Sequence, residues 1–346
     1  MSFITNFYSS LLRTTCLSLF LFAVHGQAVS AAEINEQGFD DSILSEAIKT
    51  PEWFKLSFLD INEDVSEAKA NGKKGLLLYF GMEKCPYCKA LLEDNFGKKD
   101  ISSYTQENFD VVAIDVKGNR TVTTVTGEDI SEKDFSIRQK ANFTPTLIFY
   151  DHNGTEVHRM VGYYKPYTFR AALEYVADTH YKTEVFRDFL ARGEFINKPE
   201  KALLNYRAFS MHPPYALQRN IINAQRPLLV IFEQGDCHAC DVLHAGVFAD
   251  EGILEKAHKL DIVQLDMWSN NKIIDINGKK ITAGEWAESL GIFYTPTLVF
   301  YSRSGKEIIR LGSVAHFNRL TNVINYVVED GYLKHKNLAE WNSKKH

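Results

Sequence analysis

The sequence lacks a long apolar run, an excess of one charge and a histidine cluster, and each absence excludes a class of protein. The apolar run at 17–24 is too short to cross a bilayer, which leaves an uncleaved transmembrane anchor as the weaker alternative for this segment. The net charge is only -5, with both signs interspersed, which favours neither nucleic acid nor an anionic membrane surface as a partner. The 11 histidines have no ligand spacing, so no metal site is predicted.

Cysteine is also scarce, and its distribution carries the chemistry. The sequence has five cysteines. One is Cys16, and the other four form two Cys-x-x-Cys pairs, Cys85 with Cys88 and Cys237 with Cys240. Each pair follows an apolar strand candidate and precedes a helix start. Free N–H groups and the dipole at a helix N-terminus favour a thiolate on the first cysteine, and the second lies one turn further on. The pattern predicts two redox centres in which the first cysteine attacks and the second resolves.

These cysteines have three alternative uses. A static disulfide would close so short a loop that it would remove little entropy from the unfolded chain, although this alternative stays open for the second pair. One zinc ion shared by both pairs conflicts with the separate strand and helix setting of each. Haem attachment requires a histidine after the pair, where the sequence has Lys89 and Asp241.

The N-terminal segment predicts export. Arg13 is the only charged residue before Glu33, the apolar run follows it, and small residues occupy 28–32. This pattern indicates a secretory signal peptide cleaved near Ala31. The mature chain would be periplasmic or otherwise exported, in an oxidising compartment where cysteine pairs can cycle as disulfides.

The order of elements occurs twice, which indicates an internal duplication and agrees with the two domains expected for 346 residues. Cys85 to Pro145 is 60 positions (145 minus 85) and Cys237 to Pro296 is 59 (296 minus 237). We expect residues 203–222 to supply opening helices of the second copy, and the tail to be loosely attached. The predicted division is signal peptide 1–31, spacer 32–50, first domain 51–181, linker 182–199, second domain 200–334 and polar tail 335–346.

Strand, Cys-x-x-Cys, helix, and a Thr-Pro-Thr strand before a glycine hairpin together resemble the thioredoxin superfamily, twice in tandem. The resemblance implies an α/β fold in which each domain has a central mixed β-sheet flanked by helices. It also implies that Thr144-Pro145 and Thr295-Pro296 form cis-proline loops that bind extended substrate. The first copy is similar to SoxW-type periplasmic thioredoxins at 77–81, 85–89 and 143–146.

The sequence departs from that family in two places. Thioredoxins proper carry a buried aspartate six residues before the first cysteine, where this chain has Tyr79 and Ile231. They carry tryptophan directly before that cysteine, where it has Lys84 and Asp236. Glu83 and Glu233 are candidate replacements for the missing proton relay, the alternative being that they are solvated surface charges.

The charges around the two pairs differ. Lys84 and Lys89 flank the first pair, while Asp236 and Asp241 bracket the second, with His238 as its nearby cation. Positive neighbours lower a thiol pKa, so we expect Cys85 to be more acidic and its site more oxidising, with electrons flowing from the second domain to the first. The alternative is that solvent screens these charges to near equality.

The sequence therefore predicts an exported thiol-disulfide oxidoreductase that exchanges disulfides with protein substrates, as a reductase or an electron relay served by a separate donor or acceptor. The reaction requires no metal and no organic cofactor. Two alternatives stay open. One is a protein disulfide isomerase, favoured by Pro86-Tyr87 and by threonine before the cis-proline, which resemble Dsb-type isomerases. The other is a binding module whose second domain is redox-silent.

Overall fold

Two four-stranded mixed sheets carry the two cysteine pairs in the computed structural model, which describes residues 39–193, 204, 206–235 and 237–344. Helices flank both sheets, so the predicted α/β class with two mixed sheets is confirmed. All described residues belong to one compact unit, Gly38–His346.

The first sheet has the order β2-β1-β5-β6, with β1 parallel to β2 and antiparallel to β5, and β5 antiparallel to β6. A separate hairpin pairs β3 with β4, and a π-helical turn, Leu91–Asn95, extends α2. The elements of this first repeat are α1 (Ile61–Ala70), β1 (Gly75–Gly81), α2 (Pro86–Ala90), α3 (Lys99–Asn108), β2 (Phe109–Asp115), β3 (Thr121–Thr123), β4 (Asp129–Ser131), α4 (Glu132–Arg138), β5 (Thr146–Tyr150), β6 (Glu156–Val161), α5 (Pro166–Ala177) and α6 (Phe186–Gly193).

The second sheet repeats this order as β8-β7-β11-β12, with the same parallel and antiparallel pairings. Its hairpin pairs β9 with β10. The elements of the second repeat are β7 (Leu228–Glu233), α7 (His238–Ala245), α8 (Glu251–Ala257), β8 (Asp261–Asp266), β9 (Lys272–Ile274), β10 (Lys280–Thr282), α9 (Ala283–Ser289), β11 (Thr297–Tyr301), β12 (Glu307–Leu311), α10 (Phe317–Val328), α11 (Gly331–Lys334) and α12 (Leu338–Ser343).

Strand β1 is central to its sheet, and all seven of its residues are buried. Leu78 and Phe80 face a core with Phe135 of α4, whereas Leu77 and Tyr79 face the opposite core. A strand covered on both faces reads as a continuous apolar run, which is why it was predictable from sequence. Its carboxyl end delivers the first cysteine pair to the start of α2.

The prediction of opening helices over 203–222 is wrong, because the described residues of that range contain no helix. The segment consists of turns and irregular chain, in which Met211 N–H donates to the Ile262 carbonyl at 2.7 Å and Leu217 N–H donates to the Ile274 carbonyl at 2.9 Å. Pro213 and Pro214 explain the difference, since proline lacks an N–H and clashes with the preceding helical turn.

The prediction of a loosely attached tail is also wrong. Leu338 and Trp341 of α12 are buried in the core of the second repeat, and the Trp341 ring lies 6.0 Å from that of Tyr326. Residues three positions apart lie on one face of a helix, so two apolar side chains suffice to attach this short element.

The predicted signal peptide at 1–31 lies outside the described residues, as does its cleavage site near Ala31. Within the described ranges, every helix is too short or too polar to cross a bilayer.

The two repeats are packed together through the turns that follow β6 and β12. Val314 N–H donates to the Tyr163 carbonyl at 3.1 Å. Gly162 has φ +96°, and a Cβ at this position would collide with Ser313, so the close approach requires glycine. The Tyr164 ring lies 5.6 Å from Phe293. Surfaces near both cis-proline loops are therefore covered by the other repeat.

Candidate active sites

The first cysteine pair lies at the N-terminus of α2 and is disulfide-bonded, with a Cα–Cα distance of 5.1 Å. Cys85 caps the helix, and its Sγ accepts the Cys88 N–H at 3.0 Å. Pro86 occupies the first helical position, where its missing N–H costs no hydrogen bond and its fixed φ suits the helix. A thiolate on Cys85 would be stabilised by the same N–H and by the helix dipole.

The Thr144-Pro145 loop lies directly against this pair. Its peptide bond is cis, and Thr144 Oγ1 donates to Cys85 Sγ at 3.2 Å. The Thr144 carbonyl oxygen is 3.5 Å from the same sulfur. The structure thus brings together the cysteines and the loop that the sequence singled out in the first repeat.

The second site repeats this geometry. Cys237 caps α7, its Sγ accepts the Cys240 N–H at 3.1 Å, and the pair is disulfide-bonded with a Cα–Cα distance of 5.2 Å. The Thr295-Pro296 peptide bond is also cis, and Thr295 Oγ1 lies 3.6 Å from Cys237 Sγ. Both repeats therefore present a sulfur, an N–H at a helix start and a threonine in one cluster.

The sites differ in what covers them. Arg319, the third residue of α10, reaches from the second repeat to the first site, where its Nη2 donates to the Thr144 carbonyl at 2.9 Å. Its guanidinium lies 3.5 Å from the centroid of the Tyr87 ring. The family resemblance implies that an extended substrate binds at this loop. The Thr144 carbonyl of the loop already accepts a hydrogen bond from Arg319. Cys85 is only 1% exposed.

Asp41 fixes Arg319 and Tyr87 in this arrangement. Its carboxylate accepts the Tyr87 hydroxyl at 2.9 Å and the backbone N–H groups of Asn318 and Arg319 at 3.0 and 2.8 Å. The Tyr87 oxygen in turn accepts the His316 N–H at 2.9 Å, and burial raises the pKa of Tyr87. The sequence interpretation missed this network, because Asp41 lies in the predicted spacer and no local pattern connects it to α10.

The two candidate relay carboxylates occupy different surroundings. Glu83 is exposed, as is Lys84 beside it. Glu233 is 2% exposed at the end of β7, where His244 Nε2 lies 2.5 Å from its Oε1 and Gln264 donates to its Oε2 at 2.8 Å. Sequence reasoning missed His244 and Gln264. One signal was available, since His244 follows Cys240 by four residues and such pairs share a helix face.

Neither position six residues before the first cysteine of a pair carries an acidic side chain that could relay a proton. Tyr79 is buried, which raises its pKa, and Ile231 is fully buried among apolar residues. Lys89 is exposed and lies 3.9 Å from Glu93, while Asp241 and His238 are exposed at the second site. Asp236 lies outside the described residues. The predicted difference in thiol acidity between the two sites stays a prediction.

Comparison with known proteins supports the repeat. Residues 61–177 and residues 215–328 each match the sequence profile of a family described as thioredoxin-like domain. No curated protein matches the chain.

Three bacterial proteins are among the solved structures to which the chain is similar. A thioredoxin-fold protein from Helicobacter pylori is 24% identical over 39% of this chain and 91% of its own, with a TM-score of 0.30. A disulfide isomerase from Xylella fastidiosa is 19% identical over 43% and 99%, with a TM-score of 0.25. The N-terminal domain of alkylhydroperoxide reductase AhpF from Enterococcus faecalis is 16% identical over 77% and 97%, also with a TM-score of 0.25.

Proposed function

The chain belongs to the thioredoxin-like domain family and is a thiol-disulfide oxidoreductase, and from this we propose that it is an exported reductase or electron relay acting on protein disulfides. The observation that carries the proposal is the shared geometry of the two sites. In each, the first cysteine sulfur accepts the N–H of the second at a helix start, beside a threonine that precedes a cis-proline. This geometry supports a stabilised attacking thiolate at both sites.

The proposed reaction begins with the reduced form of a site. The thiolate of the first cysteine attacks one sulfur of a substrate disulfide, forms a mixed disulfide and expels the other substrate sulfur as a thiolate. The second cysteine then attacks the mixed disulfide and releases the remaining substrate thiol. The site is left oxidised and the substrate has gained two electrons. A dithiol donor must then reduce the site, either a separate protein or the second cysteine pair acting on the first.

Trapping tests this sequence at each site. In the full chain, Cys88→Ser and Cys240→Ser should each leave a substrate such as insulin bound through Cys85 or Cys237, because the resolving thiol is absent. Non-reducing electrophoresis and mass spectrometry would detect the adducts. Adding Cys85→Ser or Cys237→Ser to the respective variant serves as the control and should abolish its adduct.

The trapping outcomes separate the alternatives. Absence of an adduct at both sites would contradict the proposed exchange. An adduct at Cys85 alone, with turnover unaffected by Cys237→Ser, would leave the second domain as a redox-silent scaffold. Reshuffling of scrambled ribonuclease by Cys88→Ser at the wild-type rate would favour isomerisation instead.

Export is proposed from the N-terminal pattern. Expression in the exporting cell, followed by fractionation and N-terminal sequencing of the mature protein, should give an exported chain beginning near residue 32. An intact Met1 on a protein that stays inside the cell would contradict it.

A further inference from the structure

A small cavity adjoins the second site. It lies where, at the first site, the side chain of Arg319 contacts the threonine before the cis-proline. Its volume is about 140 Å³, and both repeats line it. Cavities of about 150 Å³ hold a benzene ring, so this one has room for a single side chain or a similarly small group. Thr295, which lies 3.6 Å from Cys237 Sγ through its Oγ1, forms part of the wall. A group in the cavity would therefore contact the threonine that borders the reacting sulfur.

The corresponding helix of the first repeat explains why the cavity is open. Arg319 is the third residue of α10, and its side chain covers the Thr144 carbonyl at the first site. The third residue of α5 is Thr168, which lines the cavity at the second site. A threonine side chain is much shorter than an arginine side chain. Within the described residues, no hydrogen bond to the Thr295 carbonyl is formed.

Arg187 of α6 gives the cavity a positive wall. Its side chain is only 10% exposed, and its guanidinium lies 4.3 Å from the centroid of the Trp268 ring. Nη2 donates to the Met267 carbonyl at 3.3 Å, and Nη1 lies 3.7 Å from the Glu288 carboxylate, which is 61% exposed and so only weakly compensating.

One donor of Arg187 remains unsatisfied. Its Nε is buried, and within the described residues it has no hydrogen-bond partner. A buried donor without a partner is costly, particularly on a charged group, so this guanidinium is incompletely compensated. The cavity therefore combines an incompletely compensated cation in its wall with room for a small group.

We propose that this cavity binds a carboxylate of the substrate whose disulfide reacts at Cys237, with Arg187 as the specificity-determining residue. The inference rests on the proposed function. A carboxylate accepting from arginine forms a charge-assisted hydrogen bond, and the planar guanidinium suits that shape. The carboxylate could belong to an acidic side chain near the substrate cysteine or to a small disulfide that carries free carboxylates.

Matched substrates test the proposal in the full chain with Cys85→Ser and Cys88→Ser, which leaves only the second site. Two disulfide peptides differ by Glu or Gln beside the cysteine, and 3,3′-dithiodipropionate is compared with its diamide. We expect higher kcat/KM for the acid of at least one pair. Arg187→Met should lower that value about tenfold or more, because it removes the charge-assisted hydrogen bond to the carboxylate. The neutral substrates should be unaffected.

The two pairs distinguish the source of the carboxylate. A preference confined to the peptides assigns an acidic side chain, and one confined to the small disulfides assigns a small thiol compound. Arg192→Met is the matched control, because Arg192 lies on the same helix, is 62% exposed and pairs with Glu184. It should leave both preferences unchanged. Arg187→Lys, which keeps the charge but lacks Nε, should retain part of the preference and covers the case in which Arg187→Met fails to fold.

Equal losses on acid and amide substrates would mean that Arg187 is merely structural and would overturn the proposal, as would the absence of any preference in the parent chain. Fluorescence anisotropy with labelled peptides carrying serine in place of cysteine measures binding without turnover. If nothing is reduced but the Glu peptide binds more tightly and loses this advantage in Arg187→Met, the proposed function fails while the carboxylate site stands.

Discussion

His158 shows how one side chain in an aromatic cluster makes the stability of the protein depend on pH. Its ring lies in an aromatic cluster, 5.3 Å from Tyr175, 4.6 Å from Phe186 and 6.4 Å from Phe293 of the second repeat. Within the described residues its Nε2 is buried without a partner. Burial lowers the pKa of His158 to about 3, so the folded protein holds it neutral throughout the physiological range.

We expect His158→Phe to flatten the loss of stability in acid. The folded-state pKa of His158 lies below the unfolded value near 6.5, so the unfolded chain binds the extra proton as the pH falls. Its contribution is therefore fully present above pH 6.5 and is lost on acidification, by about 2 kcal/mol between pH 7 and pH 5. Urea unfolding at these two pH values measures it.

His212→Gln is the control, since His212 is exposed and its replacement should leave the slope unchanged. The prediction would be contradicted if His158→Phe and the parent chain lost the same free energy of unfolding between the two pH values.

At the scale of elements, β7 and α7 are joined by a buried polar pair beneath the second site. Glu233 ends the strand, and His244 contacts it from the last turn of the helix. Both side chains are at most 3% exposed, and Gln264 of β8 supplies a second hydrogen bond to the carboxylate. The pair fixes the helix that carries Cys237 and Cys240 against the central strand.

His244→Leu should destabilise the protein by about 3 kcal/mol, because it leaves a buried carboxylate without its partner. Adding Glu233→Gln removes the charge yet keeps an acceptor for Gln264, and should recover at least about 1 kcal/mol. Chemical denaturation of the single and double variants measures this coupling. Glu83→Gln is the control, since Glu83 is exposed and its change should be near neutral. Additive losses in the double variant would exclude the coupling.

The elements that sequence predicted well are those with a strong local pattern. β1 and β7 are fully buried central strands, so their apolar runs are continuous, and the cysteine spacing identifies the starts of α2 and α7. The segment at 203–222 was mispredicted because its hydrogen bonds run to distant residues, as from Met211 to Ile262. The periodicity of neighbouring residues carries no information about hydrogen bonds between residues so far apart in sequence.

At the scale of the whole molecule, the second repeat closes the first site through residues that no local pattern connects. Asp41 and Arg319 are 278 positions apart, and Arg319 and Thr144 are 175 apart. The sequence predicted both cysteine pairs and, by resemblance, a threonine-proline loop against each pair. The hydrogen bond from Arg319 of α10 to the Thr144 carbonyl was not predictable from the sequence, because it depends on how the two repeats pack.

Arg319→Leu should open the first site selectively. The change removes the hydrogen bond to the Thr144 carbonyl and the cation–π contact with Tyr87. A desolvated cation–π contact contributes about 2 kcal/mol, so we expect the open form to become at least about tenfold more populated. In the reduced full chain, the alkylation rate of Cys85 by iodoacetamide should rise in proportion, as measured by mass spectrometry of the labelled peptides.

Cys237 in the same chain provides an internal reference, because among the described residues Arg319 forms hydrogen bonds with Asp41 and Thr144 and none with the second site. Arg303→Leu is the matched control, since the Arg303 guanidinium donates to Asp330 and to the Gln225 carbonyl within the second repeat. Equal acceleration at Cys85 and Cys237 would mean that the variant loosens the whole fold. An unchanged Cys85 rate would mean that Arg319 does not limit access. Acceleration at Cys85 alone would establish that the packing of the two repeats controls entry to the first site.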